Sequence, residues 1–310
     1  MTKLVKKLLI GASMVVGVGT MGAVPTNAAS LTGITFNTTD IEVFGRNGSV
    51  GSGVNEAMNA LTDSDVVTNV ELGASSEDPN ANVGFSGFFG NTAVSVETVT
   101  AADWAIFGDQ WVQDFSAAYS DLFSAEIFGI NVGQAISAAV QGGLTRSGDP
   151  NIGSFVQDDA TGEYQLGLIG HLDLLQSDSL DQALRAEAAE YASNNPFFSL
   201  LSSDQQNTML DNGVNSAKNQ ISSYLGGNPL QMSEVAKVTI DGVVNYAYSF
   251  SATDTGYVDT DGSSHSGLYS WTLAGEPQSI QAVPEPSSML GLMAVGGLVT
   301  LSQRKSRKKV

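Results

Sequence analysis

The sequence predicts an α+β fold in which strands near both ends of a central domain form a sheet and amphipathic helices form a block between them. Three observations support this prediction. Apolar and polar residues alternate, as in strands, within residues 31–99 and again within 235–274. Apolar residues recur at helical spacings of three and four through much of 100–225. Strands grouped at the two ends, with helices between, favour α+β over repeated β-α-β units.

The first third of the domain is predicted to be short strands separated by loops. Glycine, serine and asparagine are frequent in 45–53 and 73–90, so both segments are expected to be loops or turns, although three phenylalanines lie in the second. The remaining pattern predicts three strand regions and one helix. These are strands within 31–42, 65–72 and 91–99, and a helix over 55–61.

Helices are predicted to follow from Thr100, where Thr100 and Asp103 have the spacing of a capping box. One face of the first helix is apolar and aromatic, and it is interpreted either as core or as a surface that stacks sugars. A second helix is predicted over 130–140, a third over 179–191, and a fourth from Ser203 with another capping box. The aromatic face of the first helix carries Trp104, Phe107, Trp111, Phe115, Ala118 and Leu122.

Two hairpins and a final strand complete the domain. The first hairpin spans 151–175, and the second spans 235–250 with Asp241-Gly242 at its turn, a pair suited to a two-residue type I′ turn. A last strand is predicted over 268–274. One α+β domain is expected; two domains that divide near Pro150 are the alternative.

The carboxyl end has three successive features. Pro284-Glu285-Pro286 forms a stiff, extended break. An uncharged apolar run over 289–301 follows, and it could enter a membrane although it is shorter than a comfortable span. A dense group of basic residues then favours the cytoplasmic side. This group consists of Arg304, Lys305, Arg307, Lys308 and Lys309.

This pattern resembles the PEP-CTERM sorting signal of bacterial envelope proteins. In that family the membrane protease-transpeptidase exosortase recognises a Pro-Glu-Pro motif and removes the hydrophobic tail that follows it. The matching residues here are Pro284, Glu285 and Pro286. The resemblance implies a protein that is exported, anchored for a time in the inner membrane and then placed at the cell surface or secreted, often together with extracellular polysaccharide. Exosortase, the membrane and possible extracellular polysaccharide are therefore its expected partners.

The amino end carries the features of a secretory signal peptide. Three lysines precede an apolar stretch from Leu8 to about Val24, and small residues follow up to Ala29. The predicted organisation is therefore a signal peptide over 1–29, a domain over 30–283 and a sorting signal over 284–310.

The domain between these ends is strongly acidic. It retains five of the 13 Lys and Arg residues and 31 of the 32 Asp and Glu residues, so its net charge is about −26. This charge disfavours nucleic acid and anionic lipid as partners. The chain has no cysteine, which excludes thiol catalysis and zinc–thiolate sites. The acidic residues are interpreted either as a solubilising surface or as ligands for divalent cations.

Calcium is the only cofactor that the sequence suggests. Asp254, Asp259 and Asp261 precede Gly262, and alternating carboxylates in a tight turn can face one hard cation. The pattern stops short of an EF-hand, because Ser270 stands at the position of its last acidic ligand. A second group of acidic residues lies at the tip of the first hairpin, where an ordinary polar turn is the alternative. It consists of Asp158, Asp159 and Glu163.

The two histidines, His171 and His265, could act as general bases or metal ligands, or could be hydrogen-bonded structural side chains. No serine-hydrolase elbow, zinc-protease motif or P-loop occurs. Two carboxylates suffice for a glycosidase, so the number of acidic residues leaves that activity open.

The domain also resembles a set of cyanobacterial PEP-CTERM proteins whose shared ectodomain has no assigned activity. The resemblance rests on phrases such as Gly170-His171-Leu172-Asp173 and His265-Ser266-Gly267. Three function classes follow. The first is a non-enzymatic structural or adhesive protein of the surface or matrix; the second is a carbohydrate- or calcium-binding envelope module; the third is a secreted polysaccharide hydrolase.

Overall fold

Two main antiparallel sheets and a helical layer make up the part of the chain that the computed structural model describes. That part is residues 28–275 apart from 64, 66, 75–77, 79, 125, 128–129 and 132–148. Its strands are β1 (Ala28–Ala29), β2 (Thr32–Phe36), β3 (Ile41–Gly45), β4 (Gly48–Gly51), β5 (Asn69–Leu72), β6 (Gly84–Phe89), β7 (Thr92–Glu97), β8 (Glu126–Ile127), β9 (Ile130–Asn131), β10 (Asn151–Asp158), β11 (Tyr164–Gly170), β12 (Ala236–Ile240), β13 (Val243–Ala247), β14 (Ala252–Asp254) and β15 (Gly267–Leu273).

The helices lie mostly in the middle of the chain. The described α-helices are α1 (Val54–Ala60), α2 (Ala101–Ala118), α3 (Ser120–Ser124), α4 (Asp178–Ser193) and α5 (Ser203–Tyr224). Short 3₁₀ helices cover Leu174–Gln176 and Phe198–Leu200.

The larger sheet has the order β14-β15-β11-β10-β5-β3-β4, with β1 also paired to β10. The smaller sheet has the order β13-β12-β7-β6-β2, and among the described residues β8 and β9 form a separate two-stranded pair. Strand β10 pairs with both β5 and β11, so strands before and after Pro150 share one sheet. The two residues of β1 are the last two of the predicted signal peptide.

Side chains from both main sheets form one hydrophobic core, which shows that the sheets pack face to face. Phe85 and Val96 of the smaller sheet belong to this core, as do Ile152, Tyr269 and Trp271 of the larger one. Strands such as β7 and β11 contribute alternate residues, because successive side chains point to opposite faces. This sandwich core is the main hydrophobic centre of the fold.

A second core joins the helices to the smaller sheet. Ala247 of β13 belongs to the sandwich core, whereas its neighbour Tyr246 belongs to the second core together with Phe107, Trp111 and Phe115 of α2. These three residues recur every four positions and are at most 1% exposed. The amphipathic face that the sequence predicts therefore packs on the sheet as core.

Local signals correctly predicted several elements. The α+β class is confirmed. The pattern correctly placed four helices and strand β7, and it also placed the two hairpins, β10–β11 and β12–β13, and the final strand β15. The four helices are α1, α2, α4 and α5. Thr100 and Asp103 form both hydrogen bonds of a capping box. Asp241 and Gly242 have φ angles of 47° and 79°, as a type I′ turn requires.

Other predictions were wrong in detail. The capping box of α5 uses Ser202 and Gln205, one residue before the predicted start. Residues 84–89, predicted as part of a loop, form strand β6. Its Gly84 reflects a close approach between backbones, because a Cβ there would lie 2.3 Å from the carbonyl oxygen of Val96. The strands also divide between two sheets, whereas the sequence predicted one, since alternation alone does not identify a strand's neighbours.

Several predictions concern residues outside the described part. They are nearly all of the signal peptide, most of the helix predicted over 130–140, and the whole sorting signal. At the start of that helix, Ile130 and Asn131 belong instead to β9.

Candidate functional site

The three aspartates predicted to bind calcium lie at or in the loop from Thr255 to Ser266, between β14 and β15. Their carboxylates hold the loop backbone. Asp254 accepts a hydrogen bond from the amide of Gly256 at 2.7 Å, and Asp259 accepts one from the next residue at 2.6 Å. Asp261 accepts two amide hydrogen bonds, each of 2.9 Å, from the residues two and three positions later. These are the local contacts by which aspartate stabilises turns.

Within the described ranges, no three His, Asp or Glu side chains are grouped so that they could hold a metal ion. Burial opposes ionisation of Asp261, but hydrogen bonds from Ser263 and Ser264 outweigh it, and they hold the pKa of this carboxyl below its usual value. Calcium binding by Asp254, Asp259 and Asp261 stays a prediction.

The sheet brings the two histidines to the same end of the larger sheet, although the sequence separates them widely. Gly170 at the end of β11 pairs with Gly267 at the start of β15, so His171 and His265 lie just beyond the paired glycines. Ser266 joins the two segments, because its hydroxyl accepts a hydrogen bond from the amide of Leu172 at 2.9 Å. A Cβ at Gly267 would lie 2.9 Å from the same amide nitrogen, so this approach needs glycine.

His265 is only 7% exposed and has a φ angle of 60°, an uncommon backbone conformation for a residue other than glycine. Its Nδ1 lies 3.7 Å from Oδ2 of Asp259, and its ring contacts Phe44 with the centroids 4.9 Å apart. Burial lowers the pKa of His265, and the charges of Asp259 and Asp261 oppose that shift only partly. Burial likewise lowers the pKa of His171, against the charge of Asp261. We call His171, His265, Asp259 and Asp261 the His265 cluster.

The acidic residues of the first hairpin also shape a turn. Both the Ala160 and the Thr161 amides donate to Oδ1 of Asp158 at 2.8 Å. The Glu163 carboxylate accepts a hydrogen bond of 3.0 Å from the side chain of Gln165. These contacts account for the polar composition of the hairpin tip.

Sequence reasoning missed a polar cluster where α2 meets the smaller sheet. Glu97, Lys237 and Tyr246 face one another across β7, β12 and β13. Lys237 Nζ lies 3.6 Å from Oε2 of Glu97 and 3.4 Å from Oδ1 of Asp103, which belongs to the first turn of α2. The Tyr246 hydroxyl donates to the same Asp103 oxygen at 3.1 Å. With Thr100, these residues form what we call the Lys237 cluster.

One sequence signal could have revealed the Lys237 cluster. The central domain has very few basic residues, and Lys237 lies in the middle of a predicted strand, two positions from Val235 and Thr239. A lone lysine on the helix-facing side of a strand implies a buried acidic partner. The identity of that partner depends on the packing of α2, which the sequence does not give.

A third group of polar side chains surrounds Glu234. Its carboxylate accepts a hydrogen bond of 3.2 Å from the amide of Asn151. Burial raises the pKa of Glu234 well above its usual value, and the charges of Asp149 and Glu71 raise it further. A carboxyl group whose pKa is raised beside other carboxylates is a candidate general acid.

None of the helices within the described ranges is both long enough and apolar enough to span a membrane. The predicted span over 289–301 lies outside those ranges.

Comparison with known proteins identifies the carboxyl end. Residues 282–308 match the family described as the PEP-CTERM protein-sorting motif. The match covers Pro284, Glu285, Pro286, the apolar run and all of the basic group except Lys309. No curated protein and no solved structure matches the chain. The resemblance of the central domain to a cyanobacterial set stays a prediction.

The sorting motif is the part of such proteins that exosortase recognises, and it marks them for export to the cell surface. Its three parts occur here in the expected order, beyond the last described strand. The chain therefore carries a PEP-CTERM sorting motif at its carboxyl end, the motif that exosortase recognises.

Proposed function

We propose that this protein is a structural or adhesive component of the cell surface or extracellular matrix, without enzymatic activity. The observation that carries the proposal is the PEP-CTERM match at residues 282–308. A signal peptide over 1–29 would start export, and the apolar run would hold the chain in the inner membrane until exosortase cuts it. The acidic domain would then act outside the cytoplasm.

The described polar groups support a non-enzymatic role. The carboxylates of Asp158, Asp254 and Asp261 accept hydrogen bonds from the backbone of their own turns. The aromatic face of α2 lies in the second core, so Trp111 and Phe115 serve packing rather than the stacking of sugars. The high negative charge would keep the domain soluble and repel other acidic surfaces.

A double substitution tests the sorting step. Pro284→Ala with Glu285→Ala removes the motif and should leave the tail attached, so that the protein stays in the membrane fraction. Glu276→Ala with Pro277→Ala changes another Glu-Pro pair a few residues earlier, and this control should be processed normally. Normal processing of the first variant in a host with active exosortase would contradict the proposal.

Hydrolysis of an extracellular polysaccharide is a second candidate function, and Glu234 favours it. A glutamic acid whose pKa is raised by burial and by the charges of Asp149 and Glu71 has the character of a glycosidase acid with nearby carboxylates. Release of reducing sugar from host polysaccharide, abolished by Glu234→Gln but unchanged by the exposed Glu190→Gln, would support this candidate. Equal sugar release with and without the protein would eliminate it for that substrate.

A further inference from the structure

Lys237 has an unusual position among the basic residues of the described ranges. Its ammonium group lies within 4 Å of two carboxylates, those of Asp103 and Glu97. All three side chains are largely buried: they are 19% exposed for Lys237, 11% for Asp103 and 22% for Glu97. The pair formed by Lys218 and Asp181 is more open, with the aspartate side chain 43% exposed.

The Asp103 carboxyl group is held in one orientation by donors on both oxygens. Its Oδ2 accepts hydrogen bonds from the Thr100 amide at 3.0 Å and from the Thr100 hydroxyl at 2.7 Å. Its Oδ1 accepts the Tyr246 hydroxyl, and the Tyr246 ring stacks on Phe107 with centroids 4.0 Å apart. Lys237 approaches the same Oδ1. The amine and the carboxyl carbon are thus preorganised on rigid elements, which raises their effective concentration.

We propose that Lys237 and Asp103 become joined by an intramolecular isopeptide bond, with Glu97 as the proton relay. The inference does not depend on the sorting assignment. The bond would fasten α2, and with it the helical layer, to strand β12 of the sandwich.

The reaction is a condensation that needs no oxidant or other reagent. Glu97 takes a proton from the Lys237 ammonium and passes it to Oδ1 of Asp103, so that the neutral Nζ attacks Cγ of a neutral carboxyl group and forms the C–N bond. The C–Oδ1 bond then breaks. Of the three ammonium protons, one stays on the amide nitrogen and two leave with Oδ1 as water, transferred through Glu97, which ends as a carboxylate. An ammonium and a carboxylate thereby become one neutral amide and one water molecule.

The contacts of Asp103 fit the requirements of this reaction. Negative charge develops on Oδ2 during the attack, and the two Thr100 donors already point at that oxygen, as donors do in an oxyanion hole. The Tyr246 hydroxyl donates to Oδ1, the oxygen that departs. Burial also favours the product, because a desolvated ion pair is replaced by a neutral group.

Two features of the chain make such a covalent bond useful for stability. The chain has no cysteine, so disulfides cannot connect its elements. Asp103 and Lys237 are far apart in sequence, and a covalent link across a long loop restricts the unfolded chain strongly.

Peptide mapping of the mature protein purified from its host tests the proposal. Trypsin cuts after a free lysine. We therefore expect no cut at Lys237, and a branched peptide that contains Asp103 and has the summed mass of its two parts minus one water. Cleavage at Lys237 with an unmodified Asp103 peptide, in protein that was folded before digestion, would overturn the proposal. Lys218 provides an internal control and should be cut normally.

Variants separate the roles within the reaction. Glu97→Gln keeps the shape of the side chain but cannot relay protons, so it should give an unlinked protein that still melts cooperatively. Asp103→Asn should give the same linked product as wild type, but lighter than its own unlinked sequence by one ammonia in place of one water. A linked Glu97→Gln protein would refute the role of Glu97 even if wild type carries the bond.

Discussion

The Lys237 cluster and the His265 cluster both contain partly or fully buried ionisable side chains, but burial shifts the pKa values of their central groups with different results. In the Lys237 cluster, opposite charges and hydroxyl donors surround Asp103, and its pKa is lowered: burial opposes ionisation, but the bonds from Thr100 and the charge of Lys237 outweigh it. In the His265 cluster, burial dominates and favours the neutral imidazole. The contribution of Asp103 to stability should therefore be lost only as the pH falls below the ordinary aspartate value of 3.8, whereas the histidines should respond as the pH falls below 6.5.

The largest effect is expected from removing the cation of the first cluster. Relative to protein in which Lys237 and Asp103 are an ion pair and not yet linked, Lys237→Met leaves Asp103 and Glu97 buried without their partner, which should lower the free energy of unfolding by about 3–5 kcal/mol. Denaturant unfolding measures the loss. Lys218→Met, which breaks the more exposed pair, should cost only about 0–1 kcal/mol. The two lysine side chains are similarly exposed, at 19% and 22%, so similar losses for the two variants would show that the burial of their acidic partners does not set the cost.

A smaller loss is expected from the tyrosine of the same cluster. In the unlinked protein, Tyr246→Phe keeps the ring on Phe107 but removes the hydrogen bond to Asp103, which should cost about 1–3 kcal/mol. Tyr191→Phe is the matched control, because this tyrosine is 60% exposed and its change should have little effect. A neutral result for Tyr246→Phe would mean that its hydroxyl does not help to hold Asp103.

The two capping boxes allow a narrower comparison. Thr100→Ala and Ser202→Ala each remove a helix N-cap, at a typical cost of about 0.5–2 kcal/mol. Thr100 also bonds the buried Asp103 carboxylate, whereas the Ser202 box is exposed, so the first loss should be larger. Thermal melts of the two variants in parallel would reveal the order, and the reverse order would count against the Lys237 cluster as a stabilising unit.

The smallest effect should be a pH dependence that comes from the His265 cluster. The folded state lowers the pKa of His171 and His265 below the ordinary value of 6.5, so it binds fewer protons than the unfolded chain. The stability that this provides is complete above pH 6.5 and is lost as the pH falls towards the folded-state pKa values. The raised pKa of Glu234 has the opposite slope, because protonation favours its folded form.

The histidine contribution is therefore measured as a difference between proteins. His265→Asn suits the position, because asparagine tolerates a positive φ angle. Melting temperatures of wild type and variant, taken from pH 8 to pH 5, should show a smaller decline or a larger rise for the variant on acidification. Parallel curves would mean that His265 does not titrate differently in the folded protein.

Sequence reasoning succeeded where neighbouring residues determine the structure. Asp241-Gly242 defines its own turn, and the spacing of Phe107, Trp111 and Phe115 defines the buried face of α2 whatever that face contacts. The PEP-CTERM signal was found for the same reason, since its motif, apolar run and basic group follow one another in the chain.

The same reasoning failed where distant segments meet. Gly84 resembles a loop residue until the close approach of β7 explains it. His171 and His265 share one end of the sheet only because Gly170 pairs with Gly267. Asp103 was correctly identified as a helix cap, but its contact with Lys237 depends on how α2 lies on the sheet. These contacts follow from sheet order and helix packing, which local periodicity does not specify.

Export of the protein and removal of both of its ends are the central claim. The intact mass of the protein recovered from its host tests this claim most directly. We predict a chain that begins near Ser30 and ends close to the Pro284-Glu285-Pro286 motif, found outside the cytoplasm. A cytosolic protein with the mass of all 310 residues would contradict the account.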